Sequence, residues 1–138
     1  MVSHTYKFRV NYSDTDKMGF VHHSNYVKFY ENARWEILRH LGIPYSDIES
    51  SGIFMPVIDM SFRFIKSAYY DELLTVTTTI SEIPKSRIKF EFELKNEAGE
   101  IINTANLSCA FTNSKTSKPT RVPKILLEKL EQKLSIKI

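Results

Sequence analysis

The sequence predicts an α+β fold, in which a mainly antiparallel sheet of about five strands wraps around one long central helix, with a short helix near the C-terminus. Two observations predict this fold. A stretch that starts at Tyr26 repeats apolar residues at steps of three and four, as a helix with one buried face does. Four later stretches alternate apolar and polar residues, as half-buried strands do. The element order is therefore strand, long helix, four strands and short helix.

The first strand is expected over residues 6–11, where apolar and polar side chains alternate. Residues 13–19 are rich in turn formers and predict a loop. The long helix should begin near Ser24 and Asn25, which are both good helix caps, and should end at Gly42. Residues 45–52 predict a turn or a short helical piece. The predicted buried stripe of the long helix consists of Tyr26, Phe29, Tyr30, Ala33, Ile37 and Leu41.

Four strands are expected next. The first covers residues 57–64, the second is threonine-rich and ends before Pro84, the third runs through residues 88–95, and the fourth follows a hairpin turn at residues 96–99. Pro123 marks a favourable start for the last helix. The side chains predicted to face inward from the first and last of these strands are Ile58, Met60, Phe62 and Phe64, and Ile101, Ala105, Leu107, Cys109 and Phe111. The last helix should bury Ile125, Leu126, Leu127, Leu130 and Leu134.

Length and composition predict one domain over residues 1–138, because 42% of the residues are apolar. A formal charge of +3 is too balanced for a dedicated nucleic-acid binder. Cys109 is the single cysteine and has no partner for an internal disulfide, which favours a reducing compartment. The first residues lack a secretory signal, and no apolar run is long enough for a membrane span. A cytoplasmic protein is therefore expected.

The segment from Tyr12 to Tyr26 carries the most specific chemistry of the chain. It places two carboxylates (Asp14 and Asp16), a glycine, two histidines and a new helix N-terminus within a dozen residues. A carboxylate beside a helix N-terminus is suited to acyl transfer. The carboxylate attacks a carbonyl or activates water, and backbone amides hold the oxyanion.

The pattern Asp-Thr-Asp-x-x-Gly-x-Val-x-His-x-x-Tyr, followed by Glu-x-Ala-Arg, resembles the 4-hydroxybenzoyl-CoA thioesterase family of hot-dog-fold enzymes. Within it, the Tol–Pal-associated acyl-CoA thioesterases are the most similar subgroup. The resemblance extends over nearly the whole element order. It implies a hot-dog fold, hydrolysis of an acyl-CoA, and a homodimer or homotetramer with sites between subunits. It implies no metal or other cofactor, because coenzyme A is part of the substrate.

The resemblance places the catalytic carboxylate at Asp16, as nucleophile or as general base, and a second catalytic residue at His23. Without the motif, Asp16 would be taken for a turn residue. Asp14 is expected to fix the loop. Which of the two histidines faces the site stays open, because His22 replaces a usually aromatic residue. Adjacent histidines are expected to point apart, and no zinc-type spacing exists, so a metal site is rejected.

Substrate contacts are expected from residues of the motif and from a basic cluster. Gly19 allows a close approach of the backbone to the ligand, Asn25 is either a cap or a polar group of the site, and Tyr26 lines the pocket. Lys85, Ser86 and Arg87, followed by Lys89, match the place where relatives bind coenzyme A phosphates. A second basic group, formed by Lys115, Lys118 and Arg121, is an alternative, and either group is also explained as an ordinary charged loop.

Other reactive residues are given structural roles. Glu31 and Arg34 are three positions apart on the helix and can form a pair. Cys109 is expected to be a packing residue. Three alternatives to an acyl-CoA thioesterase remain: an acyl-carrier-protein thioesterase, a non-catalytic acyl-CoA-binding module, and a hot-dog dehydratase. The sequence lacks the His-x-x-x-Gly-x-Pro signature of the dehydratase.

Overall fold

A computed structural model of the chain describes residues 1–135. The strands are β1 (Val2–Arg9), β2 (Ile53–Phe54), β3 (Val57–Phe64), β4 (Leu73–Ile80), β5 (Arg87–Lys95), β6 (Ile101–Ala110) and β7 (Thr112–Asn113). The helices are α1 (Asn25–His40), α2 (Tyr45–Ser50) and α3 (Lys124–Ser135), and a 3-10 turn covers Tyr12–Asp14. Residues 136–138 of the predicted domain lie outside the described residues.

Five strands form one antiparallel sheet in the order β1-β4-β5-β6-β3, and β2 pairs with β7 in a separate two-stranded ladder. Helix α1 packs against β1 and β4, and its predicted apolar stripe is buried in the same core as the inward side chains of the sheet. The other face of the sheet is polar. The predicted α+β architecture, with a sheet around one long helix, is confirmed.

The predicted boundaries of α1 hold closely. The helix starts at Asn25, and Gly42 follows its end with a φ of 80°, a conformation that favours glycine. Residues 45–52 contain α2, and Gly99 turns the hairpin between β5 and β6 with a φ of 82°. Ser24 takes the N-cap position as expected, although neither Ser24 nor Asn25 caps α1 through a side-chain hydrogen bond.

Three details of the strands differ from the sequence prediction. Strand β1 begins at Val2, because it pairs with the whole of β4. A bulge in β3 places Val57 opposite Cys109, so Ile58 loses its inward place in the alternation and is exposed. A second irregularity, between Leu94 and Lys95, makes the residue after Ile101 the buried one at the start of β6. In α3, Ile125 is exposed and does not join the buried face.

The sheet has two ends that matter for function. At one end Phe64 of β3 is paired with Asn103 of β6. At the other end Ala110 of β6 is paired with Arg87 of β5. Ala110 lies seven positions after Asn103 in β6, which corresponds to roughly 23 Å of extended strand. The N-terminus of α1 lies near the Phe64 end, because Tyr26 packs edge-on against Phe64 at 5.4 Å between ring centroids.

His4 of β1 and His40 of α1 pack against each other, with ring centroids 4.7 Å apart. The Nδ1 atom of His4 is buried and has no hydrogen-bond partner within residues 1–135. Burial lowers the pKa of the His4 imidazole, the charge of His40 lowers that pKa further, and Glu36 opposes the shift. Neutral His4 is therefore the form that the folded chain favours.

This pair predicts a loss of stability in mild acid. Because His4 binds its proton at lower pH in the folded chain, the unfolded chain takes up more protons as the pH falls through about 6.5, and folding weakens there. The His4→Asn variant should show a smaller change in urea midpoint between about pH 7.5 and pH 5 than the wild type. An equal change in both proteins would show that other groups cause the acid sensitivity.

Candidate active site

An open cavity of about 340 Å³ lies where the loop after β1, the start of α1 and the end of β3 meet. Its lining residues are Asp16, Val21, His22, His23, Tyr26, Phe64, Ile65, Lys66 and Ser67. The structure thus brings together Asp16, His23 and Tyr26, three of the residues that the sequence predicted for the site. It does not bring Lys85, Ser86 or Arg87 of the same chain to this cavity.

The loop that carries Asp16 is a closed turn. The Asp16 amide donates to the Phe20 carbonyl at 2.9 Å, and the Gly19 amide donates to the Asp16 carbonyl at 3.1 Å. Gly19 has a φ of 83°, in the left-handed region that side chains disfavour. The Met18 amide donates to Asp16 Oδ1 at 2.8 Å. One carboxylate oxygen is thereby held by the turn, while the side chain as a whole stays exposed beside the cavity.

Asp14 joins this loop to helix α1. Its carboxylate is only 2% exposed, pairs with the Lys28 ammonium and accepts the Asn11 amide at 3.0 Å. Its carbonyl oxygen accepts Asn25 Nδ2 at 2.7 Å and the His22 amide at 3.1 Å. The side chain of Asn25 therefore faces the loop. These contacts agree with the expected structural role of Asp14, and they set the distance between the loop and the helix.

The two histidines lie side by side, contrary to the expectation that they point apart. Their ring centroids are 4.2 Å apart, and both rings line the cavity. His22 Nδ1 accepts the Ser24 amide at 3.3 Å and lies 2.8 Å from Ser24 Oγ. The His22 ring thus replaces a side-chain cap at the start of α1. Of these two histidines, only His22 forms a side-chain hydrogen bond within residues 1–135.

The backbone amide of His23, a residue of the cavity lining, is the candidate donor of the site. The Asn25 and Tyr26 amides are used in the first turn, where they donate to the carbonyl oxygens of His22 and His23. Among residues 1–135, the His23 amide has no acceptor. A free amide beside a helix N-terminus favours negative charge. No three His, Cys, Asp or Glu side chains of these residues lie close enough together to hold a metal ion.

Tyr26 separates the cavity from the core. Its oxygen accepts the Ala68 amide at 3.3 Å, and burial raises the pKa of its hydroxyl, so the phenol stays protonated. One helical turn later, Tyr30 donates to Asn103 Oδ1 at 2.5 Å inside the core. The wall of the cavity next to α1 is therefore aromatic and neutral.

The two basic groups of the sequence are neighbours at the far end of the sheet. The Val122 amide donates to the Lys85 carbonyl at 2.6 Å, and the Phe111 amide donates to the Ser86 carbonyl at 3.4 Å. The loop with Lys115, Lys118 and Arg121 therefore lies against the loop with Lys85 and Arg87. Both are at the Ala110 end of β6, roughly 23 Å of strand from the Asn103 end.

A buried contact between α1 and β6 could not be found from the sequence. Arg34 is 5% exposed, and its Nη1 atom lies 3.0 Å from the Sγ atom of Cys109. Its guanidinium also stacks on Trp35, 4.2 Å from the ring centroid. No ion pair between Arg34 and Glu31 occurs within residues 1–135. Burial raises the pKa of the Cys109 thiol although Arg34 opposes this, which agrees with a packing role.

Lys28 is a residue of the site that sequence reasoning missed. In the Lys28→Met variant, the buried Asp14 carboxylate loses its counterion, so the free energy of unfolding should fall by about 1–3 kcal/mol. Chemical denaturation measures this loss. Lys17→Met, in the loop between β1 and α1, removes the same charge from an exposed lysine without an ion pair among the described residues, and should cost much less. Equal losses in both variants would contradict the role given to Lys28.

The sequence is similar to a known protein family and to individual thioesterases. The sequence model of the thioesterase-like superfamily matches residues 10–130. The putative acyl-CoA thioesterase YneP of Bacillus subtilis is 31% identical over 118 residues, which are 86% of either chain. The acyl-CoA thioester hydrolase YbgC of Escherichia coli O157:H7 is 29% identical over 124 residues, or 90% of this chain and 92% of that protein.

A solved thioesterase structure is similar to this chain and supports the same family. The DHNA-CoA thioesterase of Staphylococcus aureus superposes with a TM-score of 0.90 at 30% identity, covering 99% of this chain and 92% of that one. These matches confirm the resemblance that the motif indicated. The chain belongs to the thioesterase-like superfamily and has the hot-dog fold.

Proposed function

We propose that this protein hydrolyses acyl-CoA thioesters to a free acid and coenzyme A. The observation that carries the proposal is a cavity lined both by an exposed carboxylate, Asp16, and by His23, whose amide has no acceptor within residues 1–135. A thioester carbonyl in this cavity meets a nucleophile or base on one side and a hydrogen-bond donor on the other. The acyl-CoA thioesterases of the family support the choice of substrate.

In the proposed reaction, the Asp16 carboxylate attacks the thioester carbon or removes a proton from an attacking water. Oxyanion stabilisation comes from the His23 amide and the N-terminus of α1, and one such donor contributes about 3 kcal/mol. The thiolate of coenzyme A then leaves without a general acid. The Met18 amide holds one Asp16 oxygen, which directs the other oxygen to the substrate. This chemistry draws on no metal or redox cofactor.

The site is proposed to be completed by a second copy of the chain. Strand β3 is an edge strand with free backbone groups on one side. Large apolar side chains remain exposed along it and beyond its end: Val57, Ile58, Phe64 and Ile65. Two copies of an edge strand related by a two-fold axis pair antiparallel, which extends the sheet and covers these side chains. We therefore propose a homodimer, and a homotetramer would be a pair of such dimers.

This pairing explains why the basic residues lie far from Asp16 in one chain. Antiparallel pairing puts the Val57 end of one β3 beside the Phe64 end of the other. The loop with Lys85 and Arg87 lies at the Val57 end of its own chain. Arg87 of the partner subunit would then approach the cavity with Asp16. Lysine and arginine suit the phosphates of coenzyme A, so Lys85, Ser86 and Arg87 stay proposed substrate-binding residues, with Gly19, Asn25 and Tyr26 from the other chain.

The two neighbouring basic loops also favour the alternative, in which the acyl group is carried by acyl carrier protein. Comparing carriers of the same acyl group distinguishes the two possibilities. One acyl group should be presented on coenzyme A, on acyl carrier protein and on the short thiol N-acetylcysteamine. We expect the highest kcat/KM with coenzyme A, and a clear loss with the short thiol because it lacks the phosphates. A higher kcat/KM with acyl carrier protein would overturn the choice of carrier while keeping the thioesterase.

Binding of acyl-CoA without hydrolysis would instead support a non-catalytic binding module.

We place the enzyme in the cytoplasm, where a single free thiol such as Cys109 persists. Within residues 1–135, no helix is both long and apolar enough to cross a membrane.

A further inference from the structure

The end of the sheet opposite the cavity carries more cations than the proposed reaction uses, because only Lys85 and Arg87 are assigned to coenzyme A. It is built from two loops together with the elements that they join. The first segment, residues 83–89, leads into β5, and the second, residues 112–127, runs from β7 into the first turn of α3. The Val122 amide and the Lys85 carbonyl join them at 2.6 Å. The second loop is held in shape, because Asn113 Oδ1 accepts the amides of Lys115 and Thr116 at 2.9 and 3.1 Å. The backbone that carries its cations is therefore held in place.

This surface is strongly cationic. We name it the basic end and define it by Lys85, Arg87, Lys115, Lys118, Arg121 and Lys124, together with the two isoleucines described next. All six cations are exposed, and within residues 1–135 none of them forms an ion pair. Residues 83–89 and 112–127 contain no Asp or Glu, although Glu82 and Glu128 border them. Six cations are more than the phosphates of one coenzyme A need.

Two aliphatic side chains stand among these cations. Ile83 is 46% exposed and precedes Lys85 by two residues, and Ile125 is 45% exposed and follows Lys124 in the first turn of α3. An isoleucine side chain at such a position gains no stabilisation from its exposure to water. Cations beside exposed aliphatic side chains are typical of surfaces that lie in the interface of a membrane, where the charges meet lipid headgroups and the aliphatic groups reach the acyl boundary.

We propose that the basic end binds the surface of a bilayer that contains anionic phospholipids. An acidic protein partner would satisfy the cations alone, whereas an anionic bilayer satisfies the cations and buries Ile83 and Ile125. The basic end lies at the Ala110 end of β6, and none of its residues lines the cavity of the same chain. Membrane contact therefore leaves that cavity accessible, and in the proposed dimer it competes with the contacts of Lys85 and Arg87 to coenzyme A. This inference does not depend on the proposed reaction.

Co-sedimentation with vesicles tests the proposal on the full chain. Vesicles of phosphatidylcholine with about one third phosphatidylglycerol should bind the protein, vesicles of phosphatidylcholine alone should not, and added salt should release it. Lys124→Glu should weaken binding by about tenfold. Lys129→Glu reverses an exposed charge elsewhere on the same helix and serves as the matched control, with little expected effect.

The isoleucines are tested separately by Ile125→Ser and by Ile83→Ser, which lies in a loop and spares the helix. Each should weaken binding several-fold at low salt. Equal binding to neutral vesicles, equal losses for Lys124→Glu and Lys129→Glu, or no loss in either serine variant would overturn the proposal. So would binding of acyl carrier protein that depends on Lys124 while anionic vesicles fail to bind.

Discussion

The Asp16→Asn variant is expected to hydrolyse acyl-CoA at least about a hundredfold more slowly in kcat, because an amide neither attacks the carbonyl nor accepts a proton from water. Substrate affinity should change little. The Asn side chain keeps an oxygen that accepts the Met18 amide, so the turn from Asp16 to Gly19 is preserved. Thiol release measures the rate, and calorimetric titration of the inactive variant with acyl-CoA measures the affinity.

Asp47→Asn is the matched control for this prediction. Asp47 is exposed in α2, away from the β3 edge, and does not line the cavity. The same chemical change there should leave kcat near the wild-type value. If Asp16→Asn retained most of its activity, the catalytic carboxylate would have to be sought elsewhere, with Glu31 of α1 as the next residue to test.

Reversing the charges of Lys85 and Arg87 should weaken substrate binding, and the weakened site should be the one that contains Asp16 of the other subunit. The double variant Lys85→Glu with Arg87→Glu is expected to raise KM for acyl-CoA by about tenfold to a hundredfold, since charge-assisted contacts to phosphate are lost. kcat should change less, because the Asp16 cavity of each chain is unaltered. Steady-state kinetics measure both constants.

Mixing this double variant with Asp16→Asn tests where the phosphate contacts come from. In a mixed dimer, one site has both defects and the other has a wild-type Asp16 facing the wild-type basic loop of its partner. Random assortment makes half of the dimers mixed, so about one quarter of the wild-type activity should return after co-refolding. If both functions lay in one chain, mixing would restore nothing.

Periodicity predicted the fold well where local pattern and tertiary environment agree. The stripe of α1 from Tyr26 to Ile37 is buried as predicted, and β5 alternates through its length. The failures occur where pairing shifts by one residue. The bulge in β3 exposes Ile58, and the irregularity opposite Leu94 exposes Ile101. A bulge depends on the partner strand, so a single strand's sequence does not reveal it.

The candidate site could be predicted where its residues are contiguous in sequence. Asp16, His23 and Tyr26 belong to one motif, and all three line the cavity. Contacts between residues that are distant in sequence could not be predicted. The pairing of Lys28 with Asp14 depends on how the loop folds back on α1, and the contact of Arg34 with Cys109 depends on how α1 packs on the sheet. Nor does spacing reveal that the two basic loops share one end of the sheet.

The histidine pair shows a difference that residue type does not reveal, although both rings line the cavity. His22 and His23 were equal candidates by residue type. The ring of His22 accepts the Ser24 amide and serves the helix start, while the His23 amide is left without an acceptor among the described residues. The difference arises from backbone geometry at the entry to α1, which residue identity does not encode directly.

The most direct test of the central claim is the rate of thiol release by the unmodified protein from a series of acyl-CoAs, from acetyl to palmitoyl and including benzoyl types. The proposed site predicts turnover of at least one of them without added metal, and the preferred acyl group would report the depth of the cavity beside Asp16. Binding of acyl-CoA with no thiol released from any member of the series would contradict a thioesterase.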